Sequence, residues 1–155
     1  MLAQGDVFFM AHRALTSPKP HFCIVVGLDN GKRVVLSFAT SQYKNRLDRA
    51  RRMGYPKETI VQVAANKYEA FDRFTVIDCN SVYVQDAEDF DKMVSGRNVF
   101  RKPPMPREIL NRIIRGILAS PRSTTEIKRL VRNAPPLPEE KASHAPRITV
   151  SPLPR

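Results

Sequence analysis

The sequence predicts an α+β protein, mainly β in front and helical behind. The β part is a small closed barrel or a strongly bent sheet, with one to three helices packed on it. Three observations predict this. Residues 5–39 fall into short apolar or alternating stretches separated by turn residues, the pattern of strands. Two later stretches, "PREILNRIIRGIL" and "STTEIKRLV", space their apolar residues three and four apart, as helices do. The final 23 residues hold six prolines and few large apolar groups, too little to offset the entropy of ordering a chain.

The elements follow in order. "GDVFFMAHR", residues 5–13, reads as the first strand. "HFCIVVGL" reads as the second, and Asn30-Gly31 signals a tight hairpin turn into a third, "VVLSFAT". The second and third are therefore antiparallel neighbours. Their near-continuous Val, Ile, Leu and Phe indicate strands covered on both faces. "SQYKNRLDRARRMGYPKE", residues 41–58, breaks the pattern with six basic residues against two acidic ones. It reads as a short helix on a long loop, ended by Gly54 and Pro56. Strands resume over residues 59–66 and 73–84.

Helices follow. "DAEDFDKMV" opens on Asp86 as an N-cap, with acids in its first turn that favour the helix dipole. Behind Pro106, the residues Ile109, Leu110, Ile113, Ile114, Ile117 and Leu118 form one apolar stripe. Ser123 and Glu126 stand at capping-box spacing before Ile127, Leu130 and Val131. The elements make one domain over residues 1–132, with one to three packed helices. A disordered proline-rich tail follows over 133–155.

Charge narrows the function. The chain has 155 residues, with 26 Lys and Arg against 15 Asp and Glu, a net +11. Such an excess favours polyanionic partners through steering and counterion release. Nucleic acid leads, an acidic protein comes second, and an anionic membrane surface is a poor third. There is no run of about 18 apolar residues that would span a membrane, and no secretory signal at the start. These readings put the protein in the cytoplasm. Cys23 and Cys79 both lie in apolar strand-like runs and read as reduced, buried thiols. With three scattered histidines they make no zinc spacing, and no cofactor is expected.

Familiar catalytic signatures are missing: no phosphate loop, no glycine-rich dinucleotide turn, no G-x-S-x-G and no H-E-x-x-H. Hairpin geometry supplies a candidate instead. It brings Lys19 and His21, at the start of one strand, beside Thr40 and Ser41 at the end of the next. A cation, an imidazole and two hydroxyls then share one rim. That grouping suits a phosphodiester: Lys19 offsets charge, His21 carries a proton, and Thr40 or Ser41 hydrogen-bonds a phosphate oxygen. It equally suits RNA binding without cleavage. The basic run leaves from the same rim, making Arg13, Lys44, Arg46, Arg49, Arg51, Arg52 and Lys57 the expected nucleic-acid contacts. Tyr43 and Tyr55 flank that run and are candidates for base stacking. His12 is a weaker site candidate.

The frame "GDVFF", then "KPHFCIVV", then "VVLSFATSQ" resembles the PemK/MazF-like toxins of bacterial toxin–antitoxin systems, as a divergent member. The resemblance spans about residues 4–120. It implies an SH3-like barrel with helical additions, a homodimer with its RNA groove across the dimer, and metal-independent RNA cleavage through the 2′-hydroxyl. It also implies an antitoxin that holds the activity off. Gly5 and Asp6 match the family's opening, Pro20 the basic-proline turn, and Thr40 with Ser41 the strand end. Where the family carries arginine beside the proline, this chain has Lys19 before it and His21 after it. Lysine lacks the bidentate fork of arginine. The alternative is a non-catalytic module on the same barrel that binds nucleic acid or an acidic protein, as a regulator or phage accessory protein.

Overall fold

The computed structural model describes residues 1–135; most of the expected disordered tail, 136–155, lies outside the described residues. The elements are β1 (Val7–Met10), β2 (His21–Leu28), β3 (Arg33–Thr40), α1 (Tyr43–Met53) and a 3-10 turn (Lys57–Thr59). They continue as β4 (Ile60–Val63), β5 (Thr75–Asp78), β6 (Tyr83–Asp86), α2 (Ala87–Val94), β7 (Phe100–Lys102), α3 (Arg107–Ala119) and α4 (Thr125–Arg132). The protein is mixed α+β with its helices weighted to the C-terminal part, as the sequence predicts.

All strand pairs are antiparallel, in the order β4-β5-β3-β2-β1-β7, with β6 also on β3. Among the described residues no ladder joins the outer strands, so the sheet is open. β3 explains its shape. The first half of β3 pairs with β6 (Arg33↔Asp86 to Leu36↔Tyr83), and its end pairs with β5 (Ala39↔Ile77, Thr40↔Val76). Two strands on the same edge of one strand demand a bend between them.

β2 and β3 are buried on both faces, and alternation deals their side chains into two cores. Ile24, Val26, Val35 and Ala39 face α3 and α4, whereas Cys23, Val25, Val34 and Leu36 face Phe90 of α2. Both cysteines are buried and unpaired, and burial pushes both thiols up. A third, smaller cluster seats α1: Tyr43, Leu47 and Ala50 pack on Ile60, Val76 and Phe74.

Several boundaries differ from the sequence reading. The first strand shortens to four residues, because Gly5 adopts φ 98° and Asp6 turns inward. The buried Asp6 carboxylate accepts from the Ala3 N–H at 2.8 Å and pairs with Arg101 at 3.2 Å. Residues 73–84 form two strands, not one. Between them the Asp78 carboxylate accepts from the Asn80 N–H at 2.9 Å and turns the chain. The hairpin turn is a four-residue loop, because Asp29 Oδ1 accepts from the N–H groups of both Lys32 and Arg33. Residues 41–58 are mostly a full helix, ended by Gly54 in the left-handed conformation. Asp86 does cap α2, accepting from Asp89. The cap of α4 is Thr124, one residue beyond Ser123, whose hydroxyl instead donates to the Ile117 carbonyl at 2.6 Å.

Candidate functional site

The β2–β3 ladder registers Cys23 against Phe38. Continuing that register sets His21 opposite Thr40, at the open end of the hairpin. Beside them lies a cleft of about 950 Å³. Its rim includes Lys19, His21, Thr40, Ser41 and Arg46. The structure therefore brings together all four residues assigned to catalysis from the sequence.

Each is positioned by local bonds. Ser17 Oγ accepts from the Lys19 N–H at 3.2 Å, and His21 Nδ1 lies 2.9 Å from the Lys19 carbonyl. A carbonyl only accepts, so Nδ1 carries the hydrogen in that bond, and Nε2 is the atom left to take up a proton. His21 is half-buried and Lys19 exposed. Thr40 Oγ1 accepts from the Gln42 N–H at 3.1 Å, which leaves its own hydrogen to donate. Ser41 is exposed at the approach to α1.

Of the seven residues assigned to nucleic-acid contact, only Arg46 lines the cleft. Helical spacing explains this. With Tyr43, Leu47 and Ala50 packed inward, steps of about 100° put Arg46 on the cleft side and Arg49 one turn beyond it. The same steps turn Lys44, Arg51 and Arg52 to other sides of α1. Arg13 and Lys57 are exposed and do not line the cleft. Tyr43 and Tyr55 are not stacking platforms. Both pack into the core under α1, Tyr43 edge-on to Phe74 at 4.9 Å.

Other residues complete the site that the sequence reading missed. Asp78, buried at the end of β5, holds Arg46 at 3.4 Å. Asp72 and Arg73 pair at 3.1 Å on the far wall. Phe9, Phe22, Phe38 and Tyr83 also line the cleft, each only partly buried. The alternation of Phe22 and Phe38 with buried Cys23 and Ser37 was a signal for those two. Nothing local pointed to Asp78.

His12 lies outside the cleft lining and is structural. Its Nδ1 accepts from the Ala14 N–H at 3.0 Å, so Nε2 carries the hydrogen and donates to Gln85 Oε1 at 2.7 Å. Burial lowers its pKa, the Gln85 bond opposes that, and Arg13 lowers it further. The neutral ring sits between Phe38 and Tyr83, at 5.2 Å from each.

No protein-family model matches the chain, and no curated protein matches it. Among the described residues no helix is long and apolar enough to cross a membrane. No group of His, Cys, Asp and Glu there is arranged to hold a metal ion.

Proposed function

We propose that the cleft is the phosphodiester site of a PemK/MazF-like endoribonuclease on a strongly bent, incompletely closed relative of the SH3-like barrel. The convergence of His21, Lys19, Thr40 and Arg46 on one rim carries this reading. His21 Nε2 takes the proton of a 2′-hydroxyl as that oxygen attacks phosphorus. The bond from phosphorus to the 5′-oxygen breaks, and that oxygen gains a proton, leaving a 2′,3′-cyclic phosphate. Thr40 donates to a non-bridging oxygen as negative charge grows there. Lys19 and Arg46 offset that charge, and Arg46 supplies the planar fork that Lys19 lacks. Unpaired bases stack on the partly exposed rings of Phe22, Phe38 and Tyr83. An acidic antitoxin covering this cleft would silence it, and a cytoplasmic homodimer would set two such clefts side by side.

The test is cleavage of a mixed single-stranded RNA by purified protein in EDTA, beside Lys19→Ala, His21→Ala, Thr40→Ala and Arg46→Ala. Cyclic-phosphate ends that vanish in the His21 variant support the reading; no cutting by the wild type sinks it. One observation favours the binding-module alternative. A single imidazole lines the cleft, so one proton carrier must serve both halves of the reaction. Tight RNA binding without cutting is that alternative's signature.

A further inference from the structure

The strand register sets a row of rings beside the cleft. Phe9 of β1 stands opposite Phe22 of β2 on one side and opposite Phe100 of β7 on the other. Directly opposed residues share a face of the sheet, so Phe22, Phe9 and Phe100 form a row across three adjacent strands. Neighbouring strands lie about 4.8 Å apart, which makes the row about 10 Å long. The ring centres of Phe9 and Phe22 are 4.8 Å apart, with the planes tilted by 44°. Alternation puts Phe8 and Arg101 on the other face, where Arg101 pairs with Asp6 and lies over the Phe8 ring. The row crosses the end of the sheet that carries His21, which stands opposite Met10 of β1, and the cleft opens at that end. Phe22 and Phe9 line the cleft, and Phe100 lies beyond its lining.

Phe100 is 55% exposed, the only exposed aromatic ring among the described residues. β7 is the outermost strand, and an apolar ring on a sheet edge invites association with a partner. Lys102 shares the face of Phe100, two residues on, and its ammonium lies 6.0 Å from the centre of the Phe9 ring. It has no ion-pair partner among the described residues. Two acids, Glu69 and Asp72, belong to the loop whose Tyr68 hydroxyl donates to the Pro103 carbonyl, just past β7. Asp72 is engaged by Arg73 in the cleft wall, and Glu69 points to no ion pair there. Rings side by side on a sheet, with a cation among them, suit single-stranded nucleic acid. Every base offers an apolar face to stack, and every phosphate a charge to meet. A protein strand added to β7 would use the backbone edge and has no need of the row.

We infer that Phe9, Phe100 and Lys102 form an outer subsite for single-stranded RNA, continuous with the cleft through Phe22. A base that leaves the cleft packs against Phe9, the following base stacks on Phe100, and Lys102 meets the phosphate between them. The subsite takes RNA as its ligand from the reading above, but it needs none of the cleft's chemistry. A strand long enough to reach β7 engages it, whereas a fragment that only fills the cleft does not.

The test uses the full chain and two uncleavable 2′-O-methyl RNAs, one of about eight nucleotides and one of about three, with binding followed by fluorescence anisotropy. Phe100→Ala, at an exposed position, should weaken binding of the longer RNA about fivefold or more and leave the shorter one unchanged. Lys102→Gln should shallow the slope of log affinity against log salt by about 0.7, for the longer RNA alone. The chain has no tryptophan, so Phe100→Trp adds a single fluorophore at the subsite. It should keep wild-type affinity, and the longer RNA should quench its emission where an abasic strand of equal length does not. Wild-type affinity in Phe100→Ala, or a Phe100→Trp emission that RNA leaves unaltered, would overturn the inference. A Phe100→Ala chain that is monomeric where the wild type is dimeric would also overturn it, because the ring would then be a contact between copies. Cleavage separates the two proposals. On cleavable RNA, Phe100→Ala should raise KM and keep kcat, whereas His21→Ala lowers kcat. If the wild type cuts no RNA yet Phe100→Ala loses affinity for the longer strand, the cleavage reading fails and this subsite stands.

Discussion

Arg46 Nη1 lies 3.4 Å from Asp78 Oδ2, and that contact ties α1 to β5 across the wall of the cleft. The two partners are unequal. The Asp78 side chain is 8% exposed and that of Arg46 35%, and Asp78 Oδ1 also accepts from the Asn80 N–H. Asp78→Ala therefore leaves a buried N–H unsatisfied and should cost about 1–3 kcal/mol. Arg46→Ala should cost less than about 1 kcal/mol, because solvent screens its charge. Urea denaturation of both variants measures the difference. Equal losses would show that the pair, not the turn, is what Asp78 supports.

Thr40 and His21 are separable by substitution. His21→Ala should lower kcat for RNA cleavage by about 10²–10⁴-fold, the usual loss of a proton carrier. Thr40→Ser retains a hydroxyl and should keep most activity, whereas Thr40→Val should lose about 10²-fold or more. A valine variant as active as the serine variant would remove Thr40 from the chemistry.

His12 makes stability depend on pH. Its folded pKa is lowered from the ordinary value of 6.5, chiefly by burial. The unfolded chain then binds a proton that the folded chain refuses, so stability rises with pH in that window. The contribution is present above about pH 6.5 and is lost as pH falls through the folded value. Melting at pH 7.5 and 5.5 should show a drop that His12→Gln reduces. An identical drop in the variant would place the effect on other groups.

Gly116→Ala should destabilise the protein. Alanine would gain up to about 1 kcal/mol of helix propensity, but its Cβ would meet the Glu58 carbonyl at 2.6 Å and Cys79 Sγ at 2.7 Å. Overpacking against a backbone atom costs about 1–3 kcal/mol. The expected result is a lower Tm, and a raised Tm would mean that the Lys57–Thr59 turn yields easily.

Cys23 and Cys79 should react with a thiol reagent only as the chain unfolds. Both are fully buried, and Cys79 Sγ contacts the Ile113 carbonyl at 3.5 Å. Fast labelling of the native protein would show local opening of β2 or of the β5–α3 contact.

What was legible in the sequence was what neighbouring residues decide. Apolar runs marked β2 and β3, Asp86 marked its cap, and the isoleucine stripe marked α3. Hairpin logic alone brought His21 to Thr40. The strands split around Asn80 without a glycine or proline to announce it, because the Asp78 carboxylate makes that turn. β7 was missed because Phe100–Lys102 is three residues with no alternation to read. The spacing of Tyr43, Leu47 and Ala50 could have revealed how α1 packs, but the density of charge drew attention outward. Asp78 stayed hidden for a different reason: its partner lies 32 residues away, and no local pattern carries that distance.

β3 is shared by two ladders whose other strands are made at different times. On the ribosome, the hairpin that aligns His21 with Thr40 and the helix that carries Arg46 are synthesised first. A nascent chain that stops short of Thr75 has these parts but no Asp78 to hold Arg46 and no β5 to build the facing wall. The cleft is therefore incomplete until the chain has been made through Tyr83. Any inhibitor shaped to the finished cleft has nothing to recognise until β5 has emerged and docked.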